Sequence, residues 1–218
     1  MLEKILTKDG SFSFYDSVLK ETYHSRNGAL TESLHVYISN GLKYWLNNNP
    51  RAKSCKIFEM GFGTGLNAIL TKRFAEENKK KITYSSIEKS PLNYEQIRSV
   101  RLKVVSKSEK KLLKSSWGKM HEFAPYFKIH KIHNDFFNLT FKASSDLIFY
   151  DAFSYDIQPI MWSEKALKIS TDFLKKNGIW VSYCAKGVVR RRLEKLGLSV
   201  ERIPGPPGKR VMLRAIKN

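Results

Sequence analysis

The run Ile57-Phe58-Glu59-Met60-Gly61-Phe62-Gly63-Thr64-Gly65-Leu66-Asn67 constrains this chain more than any other stretch. An apolar strand pattern feeds into three glycines at every second position, and a helical pattern follows. Glycine at such a junction lets the chain turn sharply and lets a ligand approach bare amide groups. Strand, glycine turn and helix in that order are the first turn of a Rossmann-like α/β domain.

The spacing decides which ligand the turn suits. A dinucleotide fingerprint reads G-x-G-x-x-G/A. Here Leu66 holds the third position and Gly65 arrives one residue early. S-adenosylmethionine has no phosphate to set on a helix N-terminus; it has an amino-acid end, a sulfonium and an adenosine. Glu59 at the strand end suits such cationic groups. The run points to S-adenosylmethionine, with Glu59, Gly61, Phe62, Gly63, Thr64, Gly65 and Asn67 as the candidate binding residues. A glycine turn without a ligand is the structural alternative, and Leu66 disfavours a nicotinamide enzyme.

Short apolar runs alternate with helical patterns, as in a mostly parallel sheet. Strands are expected near 56–60, 82–88, 127–133, 146–151, 178–184, 198–203 and 209–216, seven in all, with helices near 65–78, 91–105, 164–176 and 187–196. The last two strands flank Pro204-Gly205-Pro206-Pro207-Gly208 and read as an antiparallel hairpin, an ending familiar from class I methyltransferases. The 218 residues suffice for one sizeable α/β core. Residues 51–218 read as that domain. Residues 1–50 read as an N-terminal extension packed on it, with a hairpin around 3–15 and a helix around 30–47. In that helix Leu34, Ile38, Leu42 and Leu46 make an apolar stripe.

Lys and Arg number 39 against 20 Asp and Glu, a net charge of +19. That excess points to a polyanionic partner, nucleic acid above all, against the alternative of a solvated lysine-rich surface. Clustering supports the partner: residues 101–134 carry nine Lys/Arg and two acids, and 186–217 carry ten and two. Cys55 and Cys184 stand apart in strand-like contexts with no metal-ligand spacing. No metal site and no disulfide framework is expected, and a reduced, cytoplasmic setting fits. There is no apolar leader at the N-terminus and no run long enough to span a membrane.

Acids at the ends of later strands extend the site. Glu88, followed by Lys89, lies one βα unit past the glycines, where a carboxylate accepts hydrogen bonds from ribose hydroxyls. Asp135 suits an adenine amino group and Phe136 its ring face; a helix cap and core aromatics are the alternative. Asp151 ends the strand Asp146-Leu147-Ile148-Phe149-Tyr150, where open α/β sheets place catalytic groups. A fixed carboxylate there can hold an amine, take its proton and stabilise the developing cation, which makes Asp151 the candidate catalytic residue. Phe153 and Trp162 are candidate walls for a flipped-out base, with core packing as the alternative. Lys186, Arg190 and Arg191, beside Lys209 and Arg210, would form a basic rim for phosphates.

Taken together these elements form a recognisable series. Tyr23-His24-Ser25-Arg26-Asn27-Gly28-Ala29-Leu30-Thr31-Glu32-Ser33 precedes the glycine run. Asp151-Ala152-Phe153-Ser154, Met161-Trp162, Lys186-Gly187-Val188-Val189-Arg190-Arg191 and Gly208-Lys209-Arg210 follow it. The series resembles the tRNA 5-methylaminomethyl-2-thiouridine-forming methyltransferases, the MnmD family, over roughly residues 12–216. That family is also the methyltransferase half of bifunctional MnmC. The resemblance implies a class I fold. It also implies methyl transfer from S-adenosylmethionine to the exocyclic amine of 5-aminomethyl-(2-thio)uridine at the wobble position, with the tRNA anticodon region as partner. It places the catalytic acid on Asp151 and implies a stand-alone monomer without the FAD oxidase domain. Tyr23, His24, Ser25 and Glu32 fall where they either line the acceptor pocket or cap the N-terminal helix. Methylation of another RNA or a protein, and a non-enzymatic RNA-binding relative, are the alternatives. The chain departs from the family pattern at Tyr155-Asp156-Ile157-Gln158-Pro159 and in the lysine-rich stretch 107–127, to which only an electrostatic role is assigned.

Overall fold

The computed structural model describes every residue except 101, 103, 124 and 140–143. The chain opens with an antiparallel meander of β1 (Leu2–Leu6), β2 (Phe12–Asp16) and β3 (Glu21–Thr22). A continuous helical run follows: α1 (Ala29–Ser33), a π-helical middle (Leu34–Lys43) and α2 (Tyr44–Asn48). Next come β4 (Ser54–Met60), α3 (Leu66–Glu77), β5 (Lys81–Glu88), α4 (Tyr94–Val100), α5 (Lys107–Lys114), β6 (Met120–Glu122) and β7 (Phe127–His133). The chain ends with β8 (Ser145–Tyr150), α6 (Glu164–Asp172), β9 (Leu174–Ser182), α7 (Gly187–Lys195), β10 (Leu198–Pro204) and β11 (Val211–Lys217).

The main sheet has the order β10-β11-β9-β8-β4-β5-β7-β6. Strands β7, β5, β4, β8 and β9 run parallel, and β10 and β11 close one edge as the expected antiparallel hairpin. All seven expected strands form. The three-residue β6 adds an antiparallel eighth at the far edge. β4 and β8 are nearly continuously buried because both faces of the sheet are covered. One face packs against the π-helical stretch, α3 and α5, and the other against α6 and α7. The π-helical stretch presses so close that a Cβ on Gly41 would lie 3.1 Å from both Phe149 and Val181. In the expected stripe Ile38 and Leu42 are buried, Leu46 packs against the core from a partly buried position, and Leu34 is exposed.

The stretch 107–127 is more than a charged surface. Ser106 and Glu109 form a reciprocal capping box that starts α5. Leu112 and Leu113 of that helix are buried in the core. The expected helix over 91–105 is shorter, ending at Val100; residues 101 and 103 lie outside the described ones. Among the described residues no helix is long and apolar enough to cross a membrane.

Gly65 starts α3 at φ +76°, and a Cβ there would come within 2.7 Å of Leu113 and 2.8 Å of Phe62. Gly118 has almost the same φ, +77°, with nothing within 4 Å of the Cβ position. Gly65→Ala is expected to cost about 1–3 kcal/mol, because strain and overpacking add. Gly118→Ala carries only the backbone cost. Denaturant titration of the two variants measures the gap, and equal losses would remove the packing role assigned to Gly65.

Candidate active site

The strand order reverses between β4 and β8. From β4 the chain builds outward through β5 and β7, then returns to lay β8 against the other side of β4. Ligands of open α/β sheets bind outside the strand ends at such a switch point. Met60 pairs with Tyr150 across it, and the Asp151 N–H donates to the Met60 carbonyl at 3.0 Å. Gly61 and Asp151 therefore leave the sheet side by side. Gly61 sits at φ +90°, and a Cβ there would lie 2.8 Å from the Asp151 carbonyl oxygen.

A cavity of about 1330 Å³ opens over these strand ends. That exceeds the roughly 300–1,000 Å³ of a pocket for one small molecule. Residues 60–64, Leu66 and Asn67 line one side, joined by residues 87–90 and 134–137. Residues 151–155, 183–186, Glu32 and residues 21–25 line another, and Arg202, Lys209 and Arg210 complete the mouth. The N-terminal meander and the closing hairpin are thus walls of the same cavity as the glycine turn.

On the glycine side, Glu88 accepts hydrogen bonds from the Gly63 N–H at 3.1 Å and the Ser90 N–H at 3.0 Å. An ionised carboxylate has about four acceptor sites, so it keeps capacity for hydroxyls in the cavity. Phe136 and Ile87 supply an apolar floor. Lys89 pairs with Asp135 at 2.8 Å, and this contact together with the Phe137 amide holds the Asp135 carboxyl below its ordinary pKa. The turn carries no side chain at Gly61 or Gly63, and Tyr23 closes over it, 3.6 Å from the Cβ position of Gly63. Bare backbone, an acidic strand end and an apolar floor fit an adenosine with a cationic amino-acid tail.

On the other side Asp151 holds the centre. The Tyr37 hydroxyl donates to its Oδ1 at 2.6 Å and Asn67 Nδ2 donates to its Oδ2 at 2.9 Å. Burial pushes the Asp151 carboxyl up to about 7, against the lowering effect of the Tyr37 bond. Glu32 is buried, accepts the Ser25 N–H at 2.9 Å and pairs with Lys209 at 3.1 Å. Lys209 Nζ lies 3.7 Å from the centre of the Tyr183 ring. His24 bonds Ser13 at 2.9 Å, and burial lowers its pKa against the opposing charges of Glu32 and Asp9. Phe153 stacks edge-on against Tyr23 with centroids 5.1 Å apart, and Ser154 ties this loop to Glu21 at 2.7 Å.

Most candidate residues from the sequence meet in this one cavity, but five do not line it. Glu59 is 1% exposed; it accepts from Asn67 at 3.0 Å and Ser86 at 2.6 Å beneath the cavity floor, so it is not a direct cofactor ligand. Gly65 serves helix packing. Trp162 is fully buried in the core, and its indole N–H donates to the Phe153 carbonyl at 2.8 Å, so it supports the loop and cannot stack on a base. Arg190 pairs with Glu194 at 2.7 Å, and neither it nor Arg191 borders the cavity. Tyr37, outside the expected stripe, is also buried on the core side of the π-helical stretch, and its hydroxyl reaches Asp151.

These features define the class. Residues 95–218, more than half of the chain, match the S-adenosyl-L-methionine-dependent methyltransferase family, and the chain belongs to it. Within that family it is similar to the tRNA 5-methylaminomethyl-2-thiouridine biosynthesis bifunctional protein MnmC. The identity is 33% over 209 residues with the Leptospira interrogans protein and 24% over 214 with that of Burkholderia multivorans. These alignments cover 88% of this chain and 32% of each relative, so the chain spans about a third of their length. Among solved structures, MnmC2 of Aquifex aeolicus superposes with a TM-score of 0.79 at 23% identity, over 99% of this chain and 70% of that one. S-adenosylmethionine-bound CalS10 of Micromonospora echinaspora, an amino pentose methyltransferase, gives 0.50 at 8% identity over 88% and 93%. The fold is that of class I methyltransferases, and S-adenosylmethionine is the cofactor of the family.

Burial raises Glu59 to about 8 and Asp151 to about 7, so the folded state binds protons that the unfolded chain would release. Their stabilising contribution is complete below the unfolded carboxyl range and is lost as pH rises through 7 to 8. Thermal unfolding of the ligand-free protein is expected to move to lower temperature as pH rises from about 5 and to level off above about 8. Asp151→Asn flattens that slope. An unchanged slope in the variant would contradict the raised pKa.

Proposed function

We propose that this chain transfers a methyl group from S-adenosylmethionine to the exocyclic amine of 5-aminomethyl-(2-thio)uridine at the wobble position of tRNA. The observation that carries this reading is the Asp151 carboxylate. Two donors fix it at the switch point, and it faces a cavity that has the glycine turn on one side and a basic mouth on the other. The similarity to MnmC supports the choice of acceptor.

The residues to hold the cofactor are Gly61 and Gly63 at the turn, Glu88 for ribose hydroxyls, and Asp135 with Phe136 for the adenine. The cofactor supplies an electrophilic methyl group on a positively charged sulfur. This chain's own residues prepare the acceptor. An aminomethyl group reaches neutral solution as an ammonium, which cannot attack. Asp151 accepts one of its protons, freeing the nitrogen lone pair that forms the new bond to carbon, and it gives that proton up to solvent once the methylated ammonium has formed and left. Tyr37 and Asn67 hold the carboxylate still during both steps. Tyr23 and Phe153 offer aromatic edges to a nucleobase, and Glu32 adds a second carboxylate on the acceptor side. Lys186, Lys209, Arg210 and Arg202 line the mouth where the backbone of an anticodon loop would pass.

Asp151→Ala is expected to lower kcat on aminomethyl-uridine tRNA by about 10²–10⁴-fold, the usual range for a lost proton acceptor. Cofactor affinity measured by calorimetry stays within a few-fold. Full activity of this variant would end the assignment. Binding of tRNA is expected to weaken steeply with salt, and Arg210→Ala to reduce the slope of log K against log salt by about one. A flat profile in the parent protein would count against the basic mouth. Nucleoside analysis of tRNA incubated with the protein and cofactor identifies the product; methylation elsewhere would redirect the substrate while leaving the chemistry in place.

A further inference from the structure

Two carboxyl groups share one amide beneath the cavity. Asn67 Nδ2 donates to Glu59 Oε1 at 3.0 Å and to Asp151 Oδ2 at 2.9 Å. Its Oδ1 is buried without a hydrogen-bond partner. The amide orientation is therefore set by the two acids alone, since a flipped amide would turn an acceptor toward both. The acids differ in access. Asp151 borders the cavity, whereas Glu59 is 1% exposed and closed off by Asn67 and Ser86.

Two carboxylates this close repel, and the one without solvent or a cation is the one that stays protonated. Glu59 has Ser86 and Tyr84 of β5 and Asn67 of α3 around it, and no cation among the groups that shift it. Asp151 is faced by Tyr37 and Asn67, with Glu32 opposed by Lys209. Burial raises both carboxyl groups, and the difference between them is the cation: Lys209 acts on Asp151, and none acts on Glu59. The result is a pair of acids with separate tasks set by their environments.

We propose that Asn67 is a positioning residue for methyl transfer, locked by an uncharged Glu59 so that its amide orients the Asp151 carboxylate and leaves the negative charge on Asp151. The inference rests on the reading of Asp151 as the group beside the acceptor amine. It assigns Glu59 a role opposite to that expected from the sequence, where its charge faced the cofactor.

The test compares Glu59→Gln, Glu59→Ala, Asn67→Ala and Asp151→Ala in tRNA methylation. Cofactor affinity is followed by calorimetry and the Asp151 carboxyl by carbon-13 NMR titration. In the uncharged acid Oε2 carries the proton, so its 2.6 Å bond with the Ser86 hydroxyl runs from Glu59 to Ser86 while Oε1 still accepts from Asn67. Gln supplies the same acceptor for Asn67 and the same donor for Ser86, so the conservative variant rescues what the alanine variant loses: Glu59→Gln stays within about threefold in kcat and in cofactor affinity, as expected when no charge is lost. Asn67→Ala is expected to lower kcat by roughly 10–100-fold, the effect of losing a hydrogen bond to a charged group. It also moves the Asp151 titration to higher pH and carries the acid limb of kcat/KM with it. A melting curve confirms folding of each variant. A tenfold or larger loss of cofactor affinity in Glu59→Gln would show that the charge is used and overturn the proposal. So would an unchanged kcat and Asp151 titration in Asn67→Ala while Asp151→Ala is inactive. Full activity of Asp151→Ala would instead overturn the reading beneath it.

Discussion

The backbone contact between Gly61 and Asp151 is the constraint on which the site depends. β4 and β8 lie parallel and adjacent only because the chain reverses its direction of growth there. Their ends bring the backbone of the glycine turn beside the backbone of Asp151. A side chain at Gly61 would push against the Asp151 carbonyl, so the same glycine that opens the cofactor floor also fixes the acid. Packing on both sheet faces holds the two strands in register and gives the carboxyl its fixed position before any ligand arrives.

Electrostatics then divide the cavity. Acids lie on the strand ends at Glu88, Asp135 and Asp151, and cations lie at the mouth at Lys186, Arg202, Lys209 and Arg210. The Glu32–Lys209 pair stands at the boundary, linking α1 to the closing hairpin across the acceptor side. A half-buried pair of this kind is weak evidence for stability, because solvent screens Lys209 and desolvation of Glu32 offsets the attraction. Its value here is geometric. It draws the N-terminal segment and the C-terminal hairpin to the same wall.

Much of this was legible in the residues. The glycine spacing marks the turn, and the strand-end rule marks Glu88, Asp135 and Asp151, all of which line the cavity. The failures have physical causes. Glu59 occupies the expected position, but the strand's pleat turns it under the floor toward Asn67 and Ser86, and no local pattern reports that. Gly65 belongs to the glycine series, yet its neighbour is Leu113, from a stretch that lysine content made look purely superficial. Trp162 follows the catalytic strand closely in sequence, and its burial comes from tertiary packing with Tyr150 and Tyr183. Tyr37 looks like one more core aromatic in sequence, and only its hydrogen bond to Asp151, a residue 114 positions away, marks it as part of the site.

The central claim is that Asp151 faces the reactive carbon of a donor seated over the glycine turn. A crystal structure with S-adenosylhomocysteine tests it most directly. The ribose hydroxyls are expected on Glu88 and the ligand sulfur on the side of the cavity that Asp151 faces, with Tyr37 and Asn67 still holding the carboxyl. Ligand density away from residues 61–64, or an Asp151 side chain turned out of the cavity when the ligand is bound, would contradict it.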